Sequence, residues 1–160
     1  IGAFVSGEEY VVEYLRYNMR SQTFAKALPL PMVAGLLKRL ELLQNHPEYK
    51  DRLWAIVGAL QNGLREKGFD IGNTNSCVTP VFMKGSLHEA LNMIVDLREN
   101  YHIFCSIVTY PVIPKGQLML RLIPTAVHTL EDVKITLDAF SEVARKLNEG
   151  HYDSEKLAMV

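Results

Sequence analysis

The order of short apolar segments in the second half of the chain is the feature that most restricts its fold. Residues 78–83, 103–109 and 118–123 have the length and apolar composition of β-strands. A helical apolar stripe follows the first of these segments and another follows the third. The helices begin at capping sequences headed by Ser86 and Thr129. The order β-α-β-β-α predicts an α+β fold with a three-stranded, mainly antiparallel sheet that carries helices on one face.

The first half of the chain has no sheet of its own. Residues 1–5 resemble a strand, a short helix follows, residues 20–28 lack periodicity and predict a loop, and residues 31–67 are mainly helical. We therefore expect residues 1–30 to be the remnant of a larger domain, with a strand, a helix and a loop. We expect residues 31–68 to be connecting helices, 69–148 a small α+β domain and 149–160 a polar tail. Because the chain opens with Ile1 rather than methionine, we expect it to be a fragment.

Composition narrows the classes of function. The chain of 160 residues is 48% hydrophobic and 22% charged, the balance of a soluble globular protein, and we expect a cytoplasmic location. Its net charge of −1 does not favour nucleic acid as a partner, and its longest apolar runs are too short for a transmembrane segment. The five histidines do not have metal-ligand spacing, so we expect no metal site. The two cysteines are expected to be reduced.

Arg121 is the candidate functional residue that the residue pattern itself identifies. In the third predicted strand Leu118, Leu120 and Leu122 alternate with Met119 and Arg121. An arginine in an apolar strand needs an anionic partner, because an unpaired desolvated charge is costly. That partner is either an acidic neighbour in a structural salt bridge, which the pattern alone favours, or a substrate carboxylate gripped by the planar guanidinium.

Three stretches of sequence together resemble the α-oxoamine synthases, a family of fold type I pyridoxal-phosphate enzymes. Residues 1–7 read Ile-Gly-Ala-Phe-Val-Ser-Gly, and residues 20–29 read Arg-Ser-Gln-Thr-Phe-Ala-Lys-Ala-Leu-Pro. Residues 111–116 read Pro-Val-Ile-Pro-Lys-Gly, followed by Leu-Arg-Leu at 120–122 and Ala-Val-His-Thr at 126–129. Each stretch alone is weak, but their order and spacing match the family over nearly the whole chain.

The resemblance implies a fold, a cofactor and a set of site residues. The fold would be the small C-terminal domain of a fold type I pyridoxal-phosphate transferase that acts as a homodimer. Arg121 would bind the substrate carboxylate. Ala25 and Lys26 stand where many members have Ser-Thr, whose hydroxyl helps to hold the cofactor phosphate across the dimer interface, so Lys26 either replaces that contact or faces solvent. Many members also have an arginine where this chain has Thr109-Tyr110, and no role of that arginine carries over.

The resemblance also implies a reaction, the decarboxylative condensation of an amino acid, serine or glycine, with an acyl-CoA. The motif variants are most similar to those of bacterial serine palmitoyltransferases. The alternatives are glycine C-acetyltransferase (2-amino-3-ketobutyrate CoA ligase) and 8-amino-7-oxononanoate synthase. The lysine that binds the cofactor is expected before Ile1, so the chain would contain no catalytic residue and would be inactive alone. A hypothesis of another class is a non-catalytic dimerisation module with the same small-domain fold.

Overall fold

The computed structural model describes residues 4–115 and 117–153 of the chain. The chain forms two compact units, Ile1–Pro47 and Glu48–Val160. The boundary between them falls inside the predicted connecting helices, residues 31–68. The assignment of residues 1–30 to a larger cofactor domain stays a prediction.

The first unit is helical. It contains α1 (Glu9–Asn18), α2 (Arg20–Phe24) and α3 (Leu30–Asn45), and neither α1 nor α3 has a buried residue. The prediction of a loop over residues 20–28 is wrong for its first five residues, which form α2. A helix of a single turn is too short to show a 3.6-residue repeat, so periodicity could not reveal it. Of the strand predicted over residues 1–5, the first three residues lie outside the described part, and Phe4 and Val5 are not in a strand.

The second unit contains the sheet. After α4 (Pro47–Glu66) come β1 (Thr79–Met83), α5 (Leu87–Tyr101), β2 (Ser106–Val108), β3 (Leu118–Leu122) and α6 (Leu130–Asn148). This is the predicted β-α-β-β-α order. The predicted capping boxes are present, because the side chain of Ser86 accepts a hydrogen bond from the Glu89 backbone at the start of α5 and Thr129 does the same with Asp132 at α6.

The sheet has the strand order β1-β3-β2, with β3 antiparallel to both neighbours. This confirms the predicted antiparallel, three-stranded sheet. Strand β2 is shorter than the predicted residues 103–109. The reason lies at the end of α5, where His102 adopts a left-handed conformation with φ 56° and the Ile103 N–H bonds the Leu97 carbonyl. The Ile103 amide therefore completes the end of α5 and is not available to the sheet.

One face of the sheet packs against helices and forms the core. Val81 and Leu120 on the sheet, together with side chains of α4, α5 and α6, belong to a single buried cluster. Phe140 of α6 is fully buried and makes an edge-to-face contact with Phe69, with ring centroids 5.9 Å apart and planes at 80°. Burial of this one face leaves the opposite face of the sheet for other contacts.

Candidate functional site

The candidate site lies on the face of the sheet opposite the core, here called the open face. Because Leu118, Leu120 and Leu122 are buried, the intervening Met119 and Arg121 point to the open face. Four residues of the neighbouring strands stand opposite these two in the register and complete the open face: Pro80, Phe82, Ser106 and Val108.

Arg121 lies on the central strand of this face, β3. Its cross-strand neighbours are Pro80 on β1 and Ser106 on β2, and its Nε donates a hydrogen bond to the Ser106 Oγ at 3.2 Å. Within residues 4–115 and 117–153, Arg121 forms no salt bridge. The structural salt bridge that the strand pattern favoured is therefore absent from the described residues.

Arg121 is exposed, and the residues around it in the strand register are mainly apolar. Phe82 and Val108 stand opposite Met119, which lies two residues before Arg121 on the same face, and Pro80 stands opposite Arg121. Apolar neighbours lower the local dielectric once a ligand covers the face, which strengthens the attraction between the guanidinium and an anion. A planar cation with free terminal nitrogens in such a place is suited to a carboxylate or a similar oxyanion.

The other predicted site residues, Ala25 and Lys26, lie in the first unit. The backbone N–H of Ala25 bonds the Ser21 carbonyl and ends α2, and Lys26 follows in an exposed, non-helical segment. Among the described residues Lys26 has no ion-pair partner. Arg121 lies in the second unit, so Arg121 and Lys26 belong to different units of the chain.

The loop between β2 and β3 carries the Pro-x-x-Pro-x-Gly sequence. The Tyr110–Pro111 peptide bond is cis, and the N–H of Val112 bonds the Thr109 carbonyl at 2.9 Å in a turn. Gly116 of this sequence lies outside the described residues. Tyr110 is 65% exposed, so the Thr109-Tyr110 pair, at which the resemblance led us to compare an arginine, presents an exposed phenol.

His128 has a structural task in the turn between β3 and α6. Its Nδ1 accepts a hydrogen bond from the Thr125 backbone N–H at 2.9 Å. The same Nδ1 lies 2.9 Å from the Thr125 Oγ1, so the ring contacts both the backbone and the side chain of Thr125. The Ala-Val-His-Thr sequence thus shapes the entry to α6, where Thr129 and Asp132 form the capping box.

A cavity of about 610 Å³ lies in the second unit, between α4, the end of β3 and the start of α6. Its walls include Leu60, Phe104, Ile123 and Ile135, and Arg121 does not line it. The candidate site is therefore the open face of the sheet and not this cavity. No group of three or more metal-binding side chains occurs in the described part of the chain, and none of its described helices is long and apolar enough to cross a membrane.

Comparison with known proteins identifies the family. Residues 1–140 match the family described as aminotransferase class I and II. The chain belongs to this family. Cysteate-C-fatty acyltransferase of Capnocytophaga ochracea is 60% identical over 152 residues, which cover 95% of this chain and 36% of that protein. The 8-amino-7-oxononanoate synthase of Symbiobacterium thermophilum is 33% identical over 147 residues, 92% of this chain and 37% of that protein.

A solved structure shows the same fold. The serine palmitoyltransferase of S. paucimobilis, solved with PLP and myriocin bound, superposes with a TM-score of 0.71 at 26% identity over 86% of this chain and 34% of that one. The chain thus spans little more than a third of the length of these relatives. The resemblance to α-oxoamine synthases and the fold type I assignment are confirmed, and so is pyridoxal phosphate as the cofactor of the family.

The sequence interpretation missed Ser106, whose Oγ lies 3.2 Å from the Nε of Arg121. Ser106 has no motif around it, and only the register of β2 against β3 brings it opposite the arginine. The pairing of two strands joined by a loop of irregular length is not readable from periodicity alone.

Proposed function

We propose that this chain is part of a pyridoxal-phosphate-dependent acyltransferase that condenses cysteate with a fatty acyl-CoA. The amino acid is inferred from a relative that is 60% identical over 152 residues of this chain, a cysteate-C-fatty acyltransferase, whereas the serine palmitoyltransferase structure is 26% identical over the part that it covers. Serine, the amino acid that the motif variants suggested, is the competing substrate. Glycine and the substrates of 8-amino-7-oxononanoate synthase are the further alternatives.

The observation that supports this site most directly is the unpaired Arg121 on the open face. Its Nε bonds Ser106 and, among the described residues, no carboxylate neutralises it. A guanidinium binds a carboxylate through two parallel N–H···O bonds, which fix the orientation of the carboxylate as well as its position. We assign the α-carboxylate of the amino acid to Arg121.

The proposed reaction exchanges two bonds at Cα and one at the thioester. Cα loses its proton and forms a bond to the acyl carbon, the C–S bond of the thioester breaks, and coenzyme A leaves as the thiol. The Cα–carboxylate bond then breaks, carbon dioxide leaves, and a proton is taken up at Cα. Pyridoxal phosphate, when bound, supplies the electron sink for this chemistry. Arg121 contributes by holding the carboxylate, and therefore Cα, in one orientation until the carboxylate departs.

Lys26 is proposed as a contact to the cofactor phosphate, with Ala25 beside it. It is exposed and has no ion-pair partner in the described residues, so its ammonium is free to meet an anion. An ammonium binds phosphate as a point charge, whereas the Ser-Thr of related enzymes offers a hydroxyl. We propose that Lys26 reaches the phosphate of the neighbouring subunit in a cytoplasmic homodimer.

The full-length enzyme provides the test of Arg121. Arg121→Ala should raise the concentration of cysteate needed for half-maximal spectral change of the bound cofactor by roughly 10- to 100-fold, the value of a charge-assisted hydrogen-bonded pair. The spectrum without amino acid should stay unchanged. Arg98→Ala, which removes an exposed guanidinium paired with Glu99 at 2.8 Å, is the matched control and should bind cysteate normally. Unchanged cysteate affinity in Arg121→Ala would contradict the assignment.

A substrate panel separates the amino acids. Full-length enzyme, mixed with palmitoyl-CoA and equal concentrations of cysteate, serine or glycine, should release coenzyme A fastest with cysteate. Faster release of coenzyme A with serine would contradict cysteate as the substrate and would support a serine palmitoyltransferase. Absence of coenzyme A release with all three amino acids, each tested with palmitoyl-CoA and then with a panel of other acyl-CoAs, in a protein that dimerises, would support the non-catalytic module instead.

The 160-residue chain alone should be inactive, because the lysine that binds the cofactor is expected before Ile1. Titration of the chain with pyridoxal phosphate should give no saturable absorbance band at one equivalent. A stoichiometric band that survives dialysis would contradict this part of the proposal.

A further inference from the structure

We infer that Ser106 is a positioning residue that fixes which edge of the Arg121 guanidinium meets the substrate carboxylate. This inference rests on the proposed function, because it concerns the anion that Arg121 binds. Ser106 does not touch the substrate in this proposal, and its effect passes through the arginine.

The strand register makes Ser106 the single polar cross-strand neighbour of Arg121. On the β1 side the neighbour is Pro80, whose side chain has no hydrogen-bonding group, and on the β2 side it is Ser106. Cys105, beside Ser106 in the chain, is buried, and Ile107 packs against the core. Because side chains alternate along a strand, the hydroxyl of Ser106 is directed to the open face, where Arg121 lies.

The hydrogen bond between Arg121 and Ser106 uses only one of the donor nitrogens of the guanidinium. Arg121 Nε donates to Ser106 Oγ at 3.2 Å. Among residues 4–115 and 117–153, the two terminal nitrogens of Arg121 are not engaged in any hydrogen bond to the protein. The side chain is thus held at its inner nitrogen and free at its outer end.

This division of donors decides how an oxyanion can dock. A guanidinium offers a carboxylate two paired edges, one formed by both terminal nitrogens and one formed by Nε and a terminal nitrogen. The bond to Ser106 occupies Nε, so the second edge is not available as a pair. The carboxylate therefore docks on the edge formed by the two terminal nitrogens, and the direction of its bond to Cα follows from that choice.

Residue 106 is suited to this task because its side chain is short. A serine hydroxyl has one rotatable χ angle before its oxygen, so holding it costs little conformational entropy. It is also neutral, so it orients Arg121 without cancelling the positive charge that the substrate needs. An acidic residue at position 106 would instead form an ion pair with Arg121 and compete with the carboxylate.

The test compares three variants of the full-length enzyme with bound cofactor. Ser106→Ala should raise KM for the amino acid by roughly 3- to 10-fold, the value of one hydrogen bond, with kcat changed less. Ser106→Thr keeps the hydroxyl and should restore KM to within about twofold of the original, while Ser106→Val, which matches threonine in shape, should behave as Ser106→Ala. If the side chain at position 106 only filled space, Ser106→Thr and Ser106→Val would have the same KM for the amino acid.

A double variant shows whether Ser106 acts through Arg121. In the Arg121→Ala background, adding Ser106→Ala should cause no further loss of amino-acid affinity, because the group that it positions is gone. Full additivity would overturn the inference. If Arg121→Ala itself leaves the affinity unchanged, the proposed function fails at this site; if Arg121→Ala weakens binding and Ser106→Ala does not, only the positioning inference fails.

A measurement on the 160-residue chain needs neither cofactor nor substrate. In nitrogen-15 spectra the Nε–H of Arg121 should exchange with water several-fold more slowly in the original chain and in Ser106→Thr than in Ser106→Ala. Equal exchange rates in all three proteins would show that the hydrogen bond does not persist in solution and would overturn the inference.

Discussion

The Lys146 Nζ lies 2.8 Å from the Asp96 Oδ2 and joins α6 to α5. The same carboxylate accepts hydrogen bonds from Tyr152 at 2.5 Å and from Asn100 at 2.6 Å, and Lys146 also donates to Tyr101 at 3.2 Å. The side chains of Lys146 and Asp96 retain only 24% and 11% of their exposure. This network fastens the last turns of the described chain to the body of the second unit.

Asp96→Asn should lower the free energy of unfolding by about 1–3 kcal/mol, because it removes the charge that three donors share in a partly buried place. Urea denaturation at neutral pH measures the change. Asp138→Asn is the matched control, since the Lys67–Asp138 pair at 3.3 Å is exposed and should contribute less than about 0.5 kcal/mol. Equal effects of the two substitutions would show that partial burial does not strengthen the Asp96 network.

The contribution of Asp96 to the free energy of unfolding should also depend on pH. Burial opposes ionisation of this carboxyl, but the hydrogen bonds from Lys146, Tyr152 and Asn100 outweigh burial and hold its pKa below the ordinary 3.8. The folded state therefore binds the proton more weakly than the unfolded state, so the contribution is complete above the ordinary pKa and is lost as pH falls through the folded-state pKa. The stability difference between the original chain and Asp96→Asn should be constant from neutral pH to about pH 5 and shrink below about pH 3.8. If the stability difference between the two proteins grew on acidification, the pKa of Asp96 would be raised in the folded state and not lowered.

Two glycines of α4 should respond in opposite directions to alanine. A Cβ added at Gly63 would lie 2.3 Å from Cδ1 of Leu137, whereas a Cβ at Gly58 would meet nothing within 4 Å. Gly63→Ala should therefore cost about 1–3 kcal/mol of stability through overpacking against α6. Gly58→Ala should stabilise the chain by up to about 1 kcal/mol, because it reduces the freedom of the unfolded chain and favours the helix. Thermal unfolding of both variants checks this, and stabilisation by Gly63→Ala would show that Leu137 moves aside without cost.

The two cysteines should differ in reactivity. Cys105 is 4% exposed, and burial raises the pKa of its thiol to about 11, while Cys77 is partly exposed. Since the thiolate is the reactive form, a disulfide-exchange reagent at pH 8 should modify Cys77 rapidly and Cys105 only on unfolding. Mass spectrometry of the labelled chain identifies the site, and Cys77→Ser should abolish the fast phase. Rapid labelling of both thiols would contradict the burial of Cys105.

Much of the fold of the second unit was predictable from local patterns. The capping sequences at Ser86 and Thr129 marked the starts of α5 and α6, because a cap is made by residues three apart in the chain. Alternating leucines predicted β3 for the same kind of reason. The single turn of α2 and the early end of the strand predicted over residues 103–109 were not predictable, since the first is too short for a repeat and the second depends on the end of α5.

For the candidate site, the sequence alone determined that Arg121 stands in an apolar strand and that the chain resembles a pyridoxal-phosphate family, because both are properties of residue order. Only the tertiary structure decided that no acidic residue of the described chain forms an ion pair with Arg121 and that Ser106 accepts a hydrogen bond from it. The two residues are 15 positions apart, and their contact exists because antiparallel pairing places β2 beside β3 in one particular register. A shift of one residue would direct Ser106 to the core and leave the Nε of Arg121 without this acceptor.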